Sequence, residues 1–304
     1  MDQNFQKLCY DNHPGYRLHH TTGVCAKDST LPYTHYNIHF MLIYFVHGTG
    51  SIKIEGRHYD IAEGDIIILN PTELFCCTVD AKAYHERIVL YVNEAILRNF
   101  PYECNDLFMP FYQRKKGIGN RIPAEIAANH NLGNDLVKLL HLAKAPDTTS
   151  AILSICKVIE LLANLNRIVI PLYINTLNNR ECSNENPMIN NVLNYINLHY
   201  TEDVTIADIA AQFNIDQSYL SHLFKEHVGM PLWNYVILRR IYLFNDLIRV
   251  NHSIEETCYQ AGFQNYSNFF RLYKKYMKMT PLQFKQKMHN AKHETTAPLQ
   301  SDVT

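Results

Sequence analysis

Hydrophobic and polar residues alternate along the first third of the chain with the short period of β-strands. Residues 36–47 form an aromatic and β-branched run, Ile52 and Ile54 share one face of the next segment, and residues 84–92 form a further run. Residues 57–71 hold two short strands that are split by a glycine turn. Short strands at hairpin spacing predict a β-sandwich or a small barrel.

From about residue 93 the period changes to that of helices. The pattern predicts helices at 93–100, 133–143 and 150–168. In the last of these, apolar residues recur at i, i+3 and i+4, namely Ile152, Ile155, Cys156, Ile159, Leu162 and Ala163. A long amphipathic helix beside a small β-domain either covers that domain or meets a second copy of itself.

A polar stretch without period, 175–186, ends at a proline and predicts a linker. It separates an N-terminal domain, 1–174, from a region at 187–290 in which every periodic segment is helical. Residues 291–304 predict a disordered tail.

The region 187–290 repeats one pattern, in which a capped short helix is followed by a tight turn and a second helix. Each copy opens with a hydroxyl residue that precedes an acid by three positions, at Thr205 and at Ser253. Each copy then reaches a residue that tolerates a positive φ, Asn214 in the first and Gly262 in the second. The pattern predicts two helix-turn-helix units.

The second helix of each unit has an apolar face and a polar face. Short polar side chains near the start of the helix can bond to base edges, the fork of Arg271 suits guanine, and lysines one turn later would meet phosphate. The predicted DNA-binding residues are Gln217, Ser218, Ser221, His222, Lys225, Asn265, Tyr266, Asn268, Arg271, Lys274 and Lys275. The alternative is a helical bundle whose bases form an ordinary solvated face.

Charge is distributed unevenly along a chain whose formal net charge is −1. Residues 264–290 hold six Lys or Arg and no acid. A local basic stretch in a neutral protein favours a partner-specific face over general attraction to anions.

A helix that starts at Pro231 is predicted between the two units. At about 19 residues and 1.5 Å per residue it would be roughly 28 Å long. We expect it to hold the two recognition helices about one DNA turn apart, roughly 34 Å, in adjacent major grooves.

This region resembles the AraC/XylS family of bacterial transcription regulators. The matching stretches are "SYLSHLFKEHVGMPLWNYV", Arg240, "SIEETCYQAGFQNYSNFFRLYKKY" and "MTPLQF". The resemblance implies a promoter-binding domain of two helix-turn-helix units joined by one helix. The chain departs from the family at Lys278, where Gly is usual, at Phe244, where a small residue is usual, and at His222 and Lys285, where Arg is common.

The N-terminal third resembles the cupin-like sensor barrel of the same family. The implied fold is therefore α+β with two domains, a cupin-like β-barrel with flanking helices and an all-α double helix-turn-helix. Metal-binding cupins use His-x-His, a Glu and a distant His. Here His35 matches the first position, but Asn37, Met41 and Phe75 occupy the others. We expect no metal, no cofactor and no catalytic residue, and interpret the barrel as an organic effector pocket, of residues not predicted, or as a dimer platform.

The predicted function is that of a promoter-binding regulator, most simply an activator, which responds to a small organic effector. The expected partners are double-stranded DNA, the effector, RNA polymerase and a second copy bound through the N-terminal domain. The alternatives are a cupin-type metal-dependent enzyme tethered to DNA and a regulator without an effector. Metal content and ligand-induced thermal shifts separate the three.

Cysteine usage and the absence of signal or membrane-spanning patterns predict a cytoplasmic protein. The eight cysteines are scattered, and the neighbours Cys76 and Cys77 are expected to be buried on a strand. The His-rich stretch 12–23 is interpreted as an exposed arm, with a metal site as the alternative.

Overall fold

The computed structural model describes residues 3–13, 15–25, 29–31, 39–71, 73–80, 83–97, 105–112, 114–145, 147–179, 186–248 and 253–286. The chain divides into two compact units, with a boundary between Asn186 and Pro187. The second unit comprises Pro187–Glu226 and the residues from Met230 onward. The first unit combines strands with helices and the second is helical, so the predicted α+β architecture is confirmed.

Among the described residues of the first unit, ten strands form two antiparallel sheets. One sheet has the order β1-β2-β9-β4-β7-β10 and the other has the order β3-β8-β5-β6. The strands are β1 (Gln3–His13), β2 (Tyr16–Cys25), β3 (Ser29–Leu31), β4 (Phe40–His47), β5 (Gly50–Ile54), β6 (Arg57–Ile61), β7 (Ile66–Leu69), β8 (Phe75–Val79), β9 (Tyr84–Val92) and β10 (Arg121–Ile122).

The predicted barrel is not closed. Among the described strands, no hydrogen-bonded pair joins one sheet to the other. The two sheets instead face each other across an apolar cluster to which both contribute, including Ile43 and Val89 from one sheet and Ile52 and Cys77 from the other. Cys76 and Cys77 are both buried on β8, as predicted.

The expectation of an exposed arm at 12–23 was wrong. β1 and β2 form a hairpin, and β2 pairs with β9 from Tyr16 to Val24, so Tyr16 and Leu18 are buried. The apolar side chains are spaced two apart, as a half-buried strand requires, although histidines and threonines separate them.

Two helices cover the outer face of the six-stranded sheet. The helices of the first unit are α1 (Met109–Tyr112), α2 (Ala124–Asn129), α3 (Leu132–Lys144) and α4 (Thr148–Asn179), preceded by short 3-10 turns at Glu94–Leu97 and Asn105–Phe108. Leu136 and Leu139 of α3 and Leu161 and Leu165 of α4 pack in one cluster with Leu90 of β9. The helix α4 therefore covers the β-domain, but mainly through a face other than the predicted stripe, of which Ile152 and Cys156 are exposed and Leu162 is buried.

The helix α4 is longer than its predicted extent of 150–168. It continues through Pro171 to Asn179, five residues into the stretch interpreted as a linker. Residues 175–179 contain no Gly or Pro, so nothing in them stops a helix that packing has already nucleated. Residues 180–185 and the predicted tail at 291–304 lie outside the described residues.

Besides a helical segment at 281–286, the second unit contains six helices among its described residues. They are α5 (Pro187–His199), α6 (Ile206–Gln212), α7 (Gln217–Val228), α8 (Leu232–Leu247), α9 (Ile254–Gln260) and α10 (Tyr266–Met277). The pairs α6–α7 and α9–α10 occupy the positions of the two predicted helix-turn-helix units.

Candidate nucleic-acid interface

The first helix-turn-helix unit is built by local hydrogen bonds that the sequence specifies. A full capping box starts α6, in which Thr205 and Asp208 each bond the backbone amide of the other. At the turn Asn214 adopts a left-handed φ of 53°, and the Ile215 amide donates to the Ala210 carbonyl at 3.1 Å. Asp216 then caps α7.

The second unit repeats this construction with different residues. The Ser253 hydroxyl caps α9 by accepting from the Glu256 amide at 3.1 Å. Gly262 takes the left-handed position with φ 90°, and the Phe263 amide donates to the Cys258 carbonyl at 3.2 Å. The Asn265 side chain caps α10 through the Asn268 amide. Both caps and both turn residues predicted from the sequence are therefore in place.

The linking helix α8 is shorter than predicted. It has 16 residues, with Pro231 as its N-cap, so its length is about 24 Å at 1.5 Å per residue. Its face towards α10 is aromatic and closely packed. Phe244 lies 4.6 Å from Phe269, ring to ring, and the buried Tyr273 hydroxyl donates to Asn245 Oδ1 at 2.6 Å.

Arg240 joins α8 to the loop that precedes α6. It is buried, and its guanidinium donates to the carbonyls of Tyr200 at 2.6 Å and Glu202 at 2.8 Å. Burial lowers the pKa of this guanidinium from its usual value. The same loop contacts the second turn, because a Cβ on Gly262 would lie 2.7 Å from Thr201 Cα. The loop, the linking helix and the second turn therefore form one packed junction.

The predicted DNA-binding residues of the first unit lie on the solvent face of α7. Gln217, Ser218, His222 and Lys225 are exposed, and Ser221 is half-buried with its hydroxyl donating to the Gln217 carbonyl at 2.8 Å. The opposite face, with Leu220, Leu223 and Phe224, is buried as predicted. The structure thus brings these five side chains to one exposed surface.

Four of the six predicted residues of the second unit lie on the exposed face of α10. Asn268, Arg271, Lys274 and Lys275 are exposed, and Asn268 Oδ1 accepts from the Arg271 guanidinium at 3.0 Å. Tyr266 is half-buried and its ring lies 5.9 Å from that of Phe269. Asn265 is exposed, but its side-chain oxygen is occupied as the cap of α10.

Two exposed aromatic residues on these surfaces were missed by the sequence analysis. Tyr219 is 56% exposed and Phe270 is 36% exposed. The sequence analysis assigned neither residue to the exposed face, although each is adjacent in sequence to a buried residue, Leu220 or Phe269. The helical period could have identified both as exposed, because each successive residue is turned by about 100° around the helix axis.

Family models match both units of the chain. The model of an AraC-like ligand binding domain matches residues 23–162, and that of a helix-turn-helix domain matches residues 209–287. The chain belongs to the AraC family.

Relatives of this AraC-family chain match mainly its second unit. An uncharacterized response regulatory protein of Staphylococcus epidermidis is 32% identical over 93 residues, which is 31% of this chain and 37% of that protein. The chain thus spans just over a third of the length of the curated relatives it matches. Among solved structures, the C-terminal domain of the response regulator yesN of Fusobacterium nucleatum is 26% identical, covering 32% of this chain and 95% of that one, with a TM-score of 0.31. ToxT of Vibrio cholerae is 17% identical, covering 93% and 98%, with a TM-score of 0.39.

The positions compared with metal-binding cupins divide into two groups. Met41 is buried and Phe75 half-buried in the apolar cluster between the sheets, whereas His35 and Asn37 lie outside the described residues. Across the parts of this AraC-family chain that the structure describes, no three His, Cys, Asp or Glu side chains are grouped to hold a metal ion. Within the same residues, no helix has both the length and the apolar character needed to cross a bilayer.

Proposed function

We propose that this AraC-family protein is a sequence-specific regulator of transcription that places α7 and α10 in adjacent major grooves of promoter DNA. The observation that carries the proposal is the repetition of one capped helix-turn-helix geometry, each copy presenting short polar and basic side chains on an exposed face. Those side chains are of the kinds that bond to base edges and phosphates. The chemistry is binding, and we propose no catalytic role.

Individual contacts follow from position along each recognition helix. Gln217, Ser218, Ser221 and His222 lie in the first turn and a half of α7, where a helix entering a major groove meets base edges. In α10 the first turn and a half holds Tyr266, Asn268 and Arg271, and Arg271 is the candidate for a bidentate contact to guanine. Lys225, Lys274 and Lys275 lie one turn further on and are assigned to phosphate. We remove Asn265 from the base contacts because its side chain holds the start of the helix.

The first unit is proposed to bind a small organic effector and to dimerise. α4 carries further apolar residues beside the buried stripe that covers the sheet. They include Ile152, Cys156, Ile159 and Ala163, at spacings of four, three and four. Ile152 and Cys156 are exposed, whereas Ala163 is half-buried and Ile159 packs partly against the covering cluster. Such spacing suits a second α4 helix packed alongside. We therefore propose both roles for this one helix, covering the sheet and packing against a second copy.

The effector is proposed to act by shifting the population in which both recognition helices are placed for DNA. This proposal also includes RNA polymerase as a further partner, activation rather than repression of transcription, and a cytoplasmic location. It includes the division of the chain at a linker within 175–186. The enzyme and effector-free alternatives have no observation in their favour among the described residues.

Selection from fragmented genomic DNA by the purified full-length protein tests the proposal. We expect a few intergenic fragments that share two half-sites about one helical turn apart. Arg271→Ala should weaken binding to them by about 1–3 kcal/mol and relax base preference in one half-site. Arg167→Ala, which removes an exposed charge from α4, is the matched control and should leave the selection unchanged. Sequence-blind retention by the unmodified protein, with and without a metabolite extract, would contradict the proposal.

A further inference from the structure

One exposed side chain on the second recognition helix differs in kind from its neighbours. Phe270 of α10 is 36% exposed. The other exposed residues of this helix are polar or charged, namely Ser267, Asn268, Arg271, Lys274 and Lys275. The buried face of α10, with Phe269 and Tyr273, packs on Phe244 of α8 without any contribution from Phe270. Single exposed apolar residues are common on protein surfaces, so the position and surroundings of Phe270 decide what it does.

The position of Phe270 is on the part of α10 that is proposed to meet base edges. It is the fifth residue of the helix, and therefore lies in the first turn and a half. It directly precedes Arg271, the candidate for a guanine contact, and lies one turn before Lys274, which is assigned to phosphate. The phenyl ring is therefore placed among the groups that are proposed to face the major groove.

The Phe270 ring is held by a second aromatic ring one turn earlier. The rings of Tyr266 and Phe270 are 6.3 Å apart with an angle of 41° between their planes. Tyr266 is half-buried and also lies 5.9 Å from the buried Phe269, ring to ring, which fixes it to the unit. Because helical side chains lean towards the N-terminus, the Tyr266 ring limits the orientations that Phe270 can take. An aromatic pair of defined geometry thus lies beside the polar pair of Asn268 and Arg271.

The first recognition helix has a different kind of residue at the corresponding position. Ser221 of α7 lies 49 residues before Phe270, and its hydroxyl donates to the Gln217 carbonyl at 2.8 Å. The exposed aromatic residue of α7, Tyr219, corresponds to Asn268 instead and carries a hydroxyl that can form hydrogen bonds. A bare phenyl ring at this position is therefore a property of the second unit.

We infer that Phe270 recognises the C5 methyl group of a thymine in the half-site bound by α10, next to the guanine assigned to Arg271. A phenyl ring has no hydrogen-bonding group, and the thymine methyl is the apolar group that base edges present in the major groove. Adjacent Cα atoms are about 3.8 Å apart, close to the roughly 3.4 Å between base pairs, so the two side chains meet neighbouring pairs. The inference rests on the proposed function and adds a chemical requirement for one half-site only.

Replacement of thymine by uracil tests this role, because uracil lacks only the C5 methyl group. DNA fragments selected by the full-length protein are remade with uracil in place of each thymine in turn, and affinity is measured by fluorescence anisotropy at constant salt. With the unmodified protein, uracil at one position of the half-site bound by α10 should weaken binding by about three- to fivefold, as expected for one buried methyl group. Phe270→Ser, which introduces the residue that α7 has at this position, should bind the thymine and uracil forms equally.

Tyr259→Ser is the matched control, because it removes an exposed aromatic ring from α9 of the same unit. It should retain the preference for thymine. Uracil in the other half-site should have the same effect on the unmodified protein and on Phe270→Ser.

Two results would overturn the role of Phe270. One is tolerance of uracil at every position of the half-site bound by α10, which the unmodified protein alone can reveal. The other is an undiminished preference for thymine in Phe270→Ser, which would assign the methyl group to another side chain. If the unmodified protein selects no shared half-sites, the proposed function fails as well. If half-sites are selected and uracil is tolerated, only the role of Phe270 fails.

Discussion

The two helix-turn-helix units have the same backbone construction but opposite charge. Residues 201–230 contain one basic and five acidic residues, whereas residues 253–286 contain five basic and two acidic residues. Corresponding positions are 49 apart, so that Lys225 matches Lys274 but Glu226 matches Lys275, and His222 matches Arg271. The fold of a unit depends on its caps, turn and buried face, and these leave the charge of the exposed face free to differ.

Under the proposed function, this difference predicts a division of roles on DNA. Attraction to phosphate is independent of sequence and grows with the number of cations that meet the backbone. The second unit has several such cations and the first has one. We expect the second unit to supply most of the affinity for any DNA, and the first to contribute where its short polar side chains meet the right bases.

The largest effect that tests this division should come from matched double substitutions. Lys274→Gln with Lys275→Gln should weaken binding to all sequences by about tenfold or more and reduce the slope of log affinity against log salt by about 2. The corresponding pair in the first unit, Lys225→Gln with Glu226→Gln, removes one charge of each sign and should change the slope by less than about 1. Fluorescence anisotropy over a salt series measures both.

Equal losses from the two double variants would show that the units contribute alike. The comparison is internally controlled, because both pairs lie in the last exposed turns of equivalent helices and all four substitutions are to the same residue.

A smaller effect is expected from the residues that end the two recognition helices. Gly229 ends α7 with φ 86°, and the matching residue of α10 is Lys278, with φ 57°. A side chain in this left-handed region costs roughly 1 kcal/mol, which a glycine avoids. Lys278→Gly should therefore raise the free energy of unfolding by about 1 kcal/mol, and Gly229→Lys should lower it by at least as much. Chemical denaturation followed by circular dichroism measures both; a loss of stability in Lys278→Gly would refute this account.

The smallest expected effect is the loss of stability at low pH at the start of the two recognition helices. The cap of α7 is the carboxylate Asp216, whose pKa is lowered by hydrogen bonds from the amides of Tyr219 and Ser218, whereas the cap of α10 is the uncharged Asn265. A pKa lowered by folding gives stability that is present above the unfolded value, about 3.9, and is lost as pH falls through the folded value. Between pH 5 and pH 3 the first turn of α7 should lose amide-exchange protection more than that of α10. In Asp216→Asn this difference should disappear; its persistence would place the acid sensitivity elsewhere.

Much of the second unit could be predicted from sequence because its determinants are local. Thr205, Asn214, Ser253 and Gly262 act on backbone groups within a few residues, so spacing alone located both turns. Individual side-chain roles were less accessible. Asn265 has the composition of a base-contacting residue, but local geometry commits it to the start of α10.

The first unit was predicted less completely because its determinants are distant in sequence. The hairpin of β1 and β2 becomes part of a sheet only by pairing with β9, roughly 70 residues later. The same pairing brings Arg17 beside Tyr91, and this neighbourhood exists only once the register is known. Alternation identified the strands, but it does not specify which strands are neighbours.

The junction of Arg240, Gly262 and the loop at Thr201 limits how this protein can change its targets. A guanidinium that holds two carbonyls of that loop and a glycine that admits its backbone leave little room for one helix-turn-helix unit to move against the other. Under the proposed function, substitutions on α7 or α10 change the recognised sequence of one half-site at a time. The distance between the two half-sites stays the same. Proteins that descend from this one would then differ in the bases that they recognise but share one distance between half-sites.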